Sequence, residues 1–112
     1  MKKQYNQLPQ VAFSILLALS LRPRHGYEIM QQVAEDSDGK LTLSPGTLYG
    51  SIKQLRERRL IEEQTATSDS RRRYYYLTDL GRKSLESELE HYERSLILAR
   101  KRQVLGDSGV QV

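Results

Sequence analysis

Cysteine and tryptophan are missing from the 112 residues, and phenylalanine occurs once. Without thiols there is no disulfide and no thiolate ligand for a metal, which suits a reducing, cytoplasmic setting. Histidine is almost as scarce: His25 and His91 stand alone, far apart in sequence. No His-x-x-x-His pair, phosphate-cradling glycine loop or nucleophile elbow occurs. Zinc hydrolases, nucleotide-binding enzymes and serine hydrolases are therefore set aside. Ser44-Pro45-Gly46 reads as a helix cap, not a nucleophile. Asp36-Ser37-Asp38 and Glu62-Glu63 read as a turn and a strand end, not as metal ligands. No enzyme, no metal and no cofactor are expected. Long apolar runs are missing too. The longest, Val11–Leu19, is broken by Ser14 and falls short of the roughly 20 residues that span a bilayer. It lies behind Lys2 and Lys3 like the core of a leader peptide, but Leu21-Arg22-Pro23 follow in place of a small-residue cleavage site. A buried helix is the better reading, with no membrane partner.

Charge is present in quantity, and its distribution is uneven. Residues 1–77 carry 12 basic and 8 acidic side chains, whereas residues 78–112 carry six of each, so the whole surplus of +4 lies in the first two-thirds. A surplus so placed suits a polyanionic partner.

Periodicity divides the chain into helices and a hairpin. Leu8, Val11, Ala12, Ile15, Leu16, Ala18 and Leu19 make one broad apolar face over residues 8–21. Pro23 stops that helix. A second helix is expected over 26–37, with Gly26 at its N-cap, Glu28 in its first turn, and Tyr27, Met30, Val33 and Ala34 on one face. Leu41-Thr42-Leu43 is long enough for a very short strand. The third helix has the clearest start, Ser44 as N-cap and Pro45 in the first turn. Leu48, Ile52 and Leu55 form its inner stripe, and Arg58-Arg59 close it. Residues 60–65 and 72–77 carry the Ile, Thr and Tyr of a hairpin whose polar tip is 66–71. Thr78 then caps a long helix over 79–103, and residues 104–112 read as a flexible tail.

Three helices followed by a hairpin is the order of a winged helix-turn-helix, a mainly α fold with a small β-hairpin. Residues 8–78 would form that domain and 79–103 a C-terminal dimerisation helix. Such a fold sets its third helix in the DNA major groove and its wing against the backbone. The third helix presents Ser44, Thr47, Tyr49, Lys53 and Arg56 away from its apolar stripe, and Gly46 and Gly50 would allow close approach to a duplex. Free amides at Gly46 and Thr47 could meet a phosphate. Arg71, Arg72 and Arg73 place three guanidiniums at the wing. The plainer alternatives are a merely solvated helix face, and arginines that only pair with Asp69, Glu62 or Glu63. Strand alternation groups Tyr75 with Arg73 and Leu77, and Tyr74 with Tyr76, so one of the two faces is expected to pack.

The residues resemble the PadR-like transcriptional regulators. The likeness rests on His25-Gly26-Tyr27-Glu28-Ile29, on Leu43-Ser44-Pro45-Gly46-Thr47-Leu48-Tyr49, on Leu55 to Ile61 and on Arg71 to Gly81, in order across about residues 10–82. The single helix after the wing is similar to the family's smaller subgroup. The resemblance implies a homodimer, usually a repressor, that leaves DNA when an effector binds or conditions change. It implies DNA contacts at Ser44, Gly46, Thr47, Tyr49, Arg71, Arg72 and Tyr75. This chain departs from the family at Ser70 and Arg59, where glycine is common.

Dimerisation also follows from the residues. Leu85, Leu89, Tyr92, Leu96 and Ala99 recur at steps of four, three, four and three, a heptad-like seam. Each large side chain gains roughly 1.5–3 kcal/mol on full burial, which favours a second copy; the alternative is a helix folded back on its own domain. Tyr92 falls where some small family members hold flat, apolar or aromatic effectors, though simple packing in the seam is the preferred reading, since there is no Trp to stack. Two functions remain in view: a sequence-specific DNA-binding regulator on a pseudo-palindromic operator, and a winged-helix module that binds another protein.

Overall fold

The computed structural model describes residues 8–64 and 72–106. Seven elements follow in order: α1 (Gln10–Leu19), β1 (Arg24–His25), α2 (Gly26–Asp36), α3 (Pro45–Glu57), β2 (Ile61–Glu63), β3 (Tyr74–Leu77) and α4 (Asp79–Lys101). The mainly α winged-helix arrangement expected from the sequence is present. The wing tip expected over 66–71, Arg71 included, and residues 107–112 of the expected tail lie outside the described residues.

The core forms around α1. Its apolar face buries Ile15, Leu16 and Leu19 against Ile29 and Val33 of α2 and Leu48, Ile52 and Leu55 of α3. Three short amphipathic helices could not each bury a face alone; stacked, they share one core. The helix is shorter than the expected 8–21. The Ser20 hydroxyl donates to the Leu17 carbonyl at 2.6 Å, and the Arg24 Nε donates to the Ala18 carbonyl at 2.7 Å. A buried arginine thus serves the carbonyl end that the helix leaves open.

The small sheet has the order β1-β3-β2 and is antiparallel throughout. Its third strand corrects an expectation: it is Arg24–His25, not Leu41–Leu43. Arg24 pairs with Tyr75 and His25 with Tyr74. Residues 41–43 instead run as an irregular link in which Leu43 is buried and the Leu41 amide donates to the Ser37 hydroxyl at 2.9 Å. Leu41 therefore finds a side-chain partner without a sheet. A second correction follows from the same place. The N-cap of α2 is His25, not Gly26, and Tyr27 faces solvent while Ile29 takes the buried position.

Two tight turns tie the hairpin to the helices. Arg59 ends α3 with φ +63°, and the Leu60 amide reaches back to the Leu55 carbonyl at 3.0 Å. That is the left-handed helix ending glycine usually fills; here an arginine holds it. Thr78 caps α4, its hydroxyl accepting from the Gly81 amide at 2.9 Å and donating to the Arg59 carbonyl at 2.8 Å. Gly81 sits against the Leu60 carbonyl, where a Cβ would collide with backbone.

Helix α4 has two unlike halves. Gly81, Leu85 and Glu88 are buried in its own domain. Leu85 is only 4% exposed, so it leaves the expected seam and joins the core. From Leu89 onward no residue of α4 is buried. Leu89, Leu96, Ile97 and Leu98 stand at 41–50% exposure, a row of large apolar groups without a cover in the described chain. Tyr92 lies between the two halves. Its ring meets Phe13 of α1 edge-on at 5.3 Å, and its hydroxyl donates to Glu88 Oε2 at 3.0 Å. That hydrogen bond, then burial, raises the phenol above its ordinary pKa. Beyond the helix, the Val104 amide donates to the Ala99 carbonyl at 2.8 Å, so the ordered chain extends into the segment expected to be a tail.

These turns yield two opposed outcomes. Arg59→Gly should stabilise the fold by about 1 kcal/mol, since glycine carries no penalty at positive φ. Gly81→Ala should destabilise it by roughly 1–3 kcal/mol through overpacking against backbone. Urea unfolding midpoints would measure both, and a stable Gly81→Ala variant would show that the α4 entry is looser than described.

Candidate nucleic-acid interface

Helix α3 owes its exposed N-terminus to its cap. The Ser44 Oγ accepts from the Thr47 amide at 3.2 Å and donates to the Thr47 Oγ1 at 3.1 Å. The Thr47 amide is thus already partnered, and the Thr47 hydroxyl, accepting here, keeps its own proton to donate. Ser44, Pro45, Gly46 and Thr47 are all exposed. A Cβ at Gly46 or at Gly50 would meet nothing within 4 Å. Packing in this chain therefore gives no reason for either glycine, and Gly50 in a helix interior costs about 1 kcal/mol relative to alanine. A face kept bare at that cost is suited to close approach by something outside the chain.

The wing root stands across from this helix. One open cleft of about 540 Å³ is lined by His25, Gly26, Tyr27, Tyr49, Arg72, Arg73 and Tyr75. A neighbouring cleft of about 560 Å³ shares Tyr49, Arg73 and Tyr75 and adds Lys53 and Arg56. Of the expected contact residues, Tyr49 and Arg73 line both clefts, Arg72 lines the first, and Lys53 lines the second beside Glu57 and Glu62. Ser44, Gly46 and Thr47 lie at the exposed start of the same helix. Tyr49 crosses to α2 and rests on Gly26, where a Cβ would collide with its ring. Gly26 is thus a seat for the tyrosine of the neighbouring helix.

Tyr75 departs from expectation. It is 3% exposed, because it lies on the face of β3 that is turned to the core, opposite Tyr76. Burial, then the nearby Glu63 charge, pushes its phenol pKa up. It forms the floor of the groove and offers no free edge. The packing face of the wing is therefore that of Tyr75, while Tyr76 on the opposite face is exposed.

The cations of the groove have carboxylates nearby. Arg56 lies 3.2 Å from Glu63 and 4.0 Å from Glu62, Arg73 lies 3.8 Å from Glu63, and Lys53 lies 3.9 Å from Glu57. Pairing of a wing arginine with Glu63, the plainer alternative to phosphate contact, occurs at Arg73. These pairs are largely exposed, and such pairs contribute roughly 0–1 kcal/mol. A phosphate can displace them at little cost.

Reading the residues did not place His25 in this groove. Its ring is packed edge-on to Tyr74 at 5.3 Å, and its Nε2 lies 3.1 Å from the Arg72 Nη1. The available signal was Glu28 three residues after His25, the spacing of a capping box. Its geometry is present: the His25 amide donates to Glu28 Oε1 at 3.2 Å, while the return contact, from the Glu28 amide to His25 Nδ1, is long at 3.4 Å. Burial acts to raise the Glu28 carboxyl, but hydrogen bonds from Arg22 and the His25 amide outweigh it and leave the pKa lowered. Among the described residues, no group of three His, Cys, Asp or Glu side chains could hold a metal ion, and no helix is long and apolar enough to cross a membrane.

Comparison with known proteins places this geometry. The model of the transcriptional regulator PadR-like family matches residues 15–87. A PadR family transcription regulator from Clostridium difficile is 30% identical, with a TM-score of 0.69 over 88% of this chain and 100% of that one. A transcriptional regulator from Clostridium thermocellum is 26% identical, with a TM-score of 0.69 over 81% and 90% of the two chains. Bacillus subtilis PadR, solved in complex with operator DNA, shares the fold at a TM-score of 0.64 and 22% identity, over 75% of this chain and 48% of that one. The family consists of transcription regulators, not enzymes. With its match spanning more than half of the sequence, the chain belongs to the PadR-like family of transcriptional regulators.

Proposed function

We propose that this regulator is a cytoplasmic repressor that binds a pseudo-palindromic operator as a homodimer. Helix α3 enters the major groove, and the wing root lies on the phosphate backbone. The observation that carries the reading is the groove itself. Tyr49 of α3 and Arg73 of the wing line two adjoining clefts, one of which also takes in Arg72 and the other Lys53, and the α3 N-terminus beside them is capped and bare. Base edges are read by small and polar groups at such a helix start, while guanidiniums on the wing fix register against phosphates. Bacillus subtilis PadR, which shares the fold, was solved with operator DNA. Arg71 keeps its assignment to the wing contacts on the sequence argument alone.

The homodimer is supported by the outer half of α4. Leu89, Tyr92 and Leu96 line an open groove of about 620 Å³ together with Glu86, Glu90 and Glu93. A second copy would cover the leucines, and the acidic rim would stay wet. The same groove, with Tyr92 half engaged by Phe13, supports an apolar or aromatic effector that alters the pose of the two helices. Two-fold symmetry then sets half-sites about one helical turn, roughly 34–36 Å, apart.

The test is an anisotropy titration with labelled duplex from upstream of the protein's own coding sequence, against a scrambled duplex. Saturable, submicromolar, strongly salt-dependent binding to the first is expected. Equal weak binding to both would favour the protein-binding module instead. Arg72→Ala should weaken binding to both duplexes and lower the salt slope by about one; an unchanged slope removes Arg72 from the phosphate contacts. Lys53→Ala should shift sequence preference instead. Gly50→Ala separates folding from function: unfolding should move up by about 0.5–1 kcal/mol while operator affinity falls. A gain in both would show that nothing approaches Gly50. Leu89→Asp should give monomers by light scattering, and a surviving dimer would place the seam elsewhere.

A further inference from the structure

His25 stands where β1 ends, α2 begins and the wing strand returns, and it is only 7% exposed. Each ring nitrogen has a donor nearby, and Nε2 also has the Glu28 Oε1 at 3.7 Å, too far for a hydrogen bond. The Glu28 backbone amide lies 3.4 Å from Nδ1, and the Arg72 guanidinium lies 3.1 Å from Nε2. An amide N–H and a guanidinium can only donate, whereas a neutral imidazole has one nitrogen with a lone pair and one with a proton. The two contacts therefore cannot both be hydrogen bonds at the same moment. Geometry favours the second. At 3.1 Å the Arg72 contact lies within the ordinary N–H range, and at 3.4 Å the amide contact lies outside it. The start of α2 is also served from the other side, since the Glu28 carboxylate accepts from the His25 amide at 3.2 Å. The ring itself is held edge-on by Tyr74 and by strand pairing to β3, so it can act as a fixed support.

We propose that His25 is a positioning residue for DNA binding: its Nε2 lone pair holds the Arg72 guanidinium at the wing root, over the groove it shares with Tyr49. The inference rests on the DNA reading above and adds a residue that has no phosphate or base of its own to touch. Arginine is long and rich in rotamers, so an unheld guanidinium loses freedom when it docks. A buried acceptor on the helix-turn-helix side removes part of that loss before DNA arrives. It also joins the wing to the frame that carries α3, because Gly26, next to His25, is the seat of Tyr49.

Two isosteres separate the two nitrogens. His25→Asn puts a carboxamide oxygen near the Nδ1 position, where it caps α2 well but stops short of Arg72. His25→Gln puts the oxygen near the Nε2 position, where it can receive Arg72 but caps poorly. Both are measured for thermal unfolding without DNA, and by anisotropy with the upstream duplex over a range of salt. His25→Asn should unfold like the parent yet bind roughly two- to tenfold more weakly, the range expected for ordering one such side chain. It should also flatten the salt slope and add no further loss in the Arg72→Ala background. His25→Gln, which loses no firm cap, should unfold close to the parent and bind within about twofold of it. The reverse pattern overturns the proposal, as do losses that simply track stability or that add in the double variant. Failure of the parent protein to prefer the upstream duplex overturns the DNA reading and this inference together. A binding parent with an unaffected His25→Asn variant overturns the inference alone.

Discussion

The pairing of two residues, Arg24 and His25, with the wing strand is the constraint on which the rest of the arrangement depends. Without it the hairpin would be a two-stranded ribbon, which is marginal in water. With it, Tyr75 becomes a central position, paired on both sides. The same dipeptide closes α1 through the Arg24 bond to Ala18 and opens α2 through the His25 cap. Two helix ends and a sheet edge are thus satisfied within two residues. The polar groups that make this possible are buried, and buried donors and acceptors are costly to leave unmade. That cost confines the wing root to one position relative to α2, and through Gly26 and Tyr49 it also confines α3.

Helix α4 meets a different demand. Its first turns belong to the domain: Thr78 bonds to the end of α3, Gly81 lies on the Leu60 carbonyl, and Leu85 enters the core. Its later turns bear a row of apolar side chains that the described chain leaves open. One continuous helix therefore fixes the angle between the candidate interface and whatever covers Leu89, Leu96 and Leu98. Tyr92 lies at the change-over, bonded to buried Glu88 and packed on Phe13. A disturbance at the outer surface of α4 has a direct physical path into α1, the helix around which the core is built.

How far these features could be read from residues depends on the range of the interaction behind them. Ser44-Pro45 and Thr78 were legible because a cap is decided within four residues. The inner stripe of α3 was legible because Leu48, Ile52 and Leu55 repeat at helical spacing. The strand at Arg24–His25 was not. Two residues have no period, and their extended state is imposed by β3, some fifty positions away. Leu41-Thr42-Leu43 carries a better strand composition, yet composition does not supply a partner edge. The heptad spacing from Leu85 to Leu96 was visible, but burial against α1 and burial against a second copy leave the same spacing. Only the length of the domain beneath α4 decides that Leu85 is inside and Leu89 outside. At Tyr75, alternation gave the two faces correctly and could not say which is inward, because that follows from the side of the sheet on which the helices pack.

The groove also carries its own counter-charges, and this bears on how it would discriminate. Arg56 and Arg73 converge on Glu63, with Glu62 beside Arg56, and Lys53 leans along its helix toward Glu57. In the free protein each cation therefore meets a carboxylate in high dielectric, where the pair has little net worth. A phosphate that displaced Glu63 from Arg73 would leave that carboxylate to Arg56, which it already meets at 3.2 Å. A base edge approaching Lys53 must compete with Glu57, which repels phosphate as well. Cations alone would grip any duplex. Cations interleaved with carboxylates favour those poses in which phosphates meet arginines and avoid glutamates, and this turns part of a sequence-independent attraction into a demand for register.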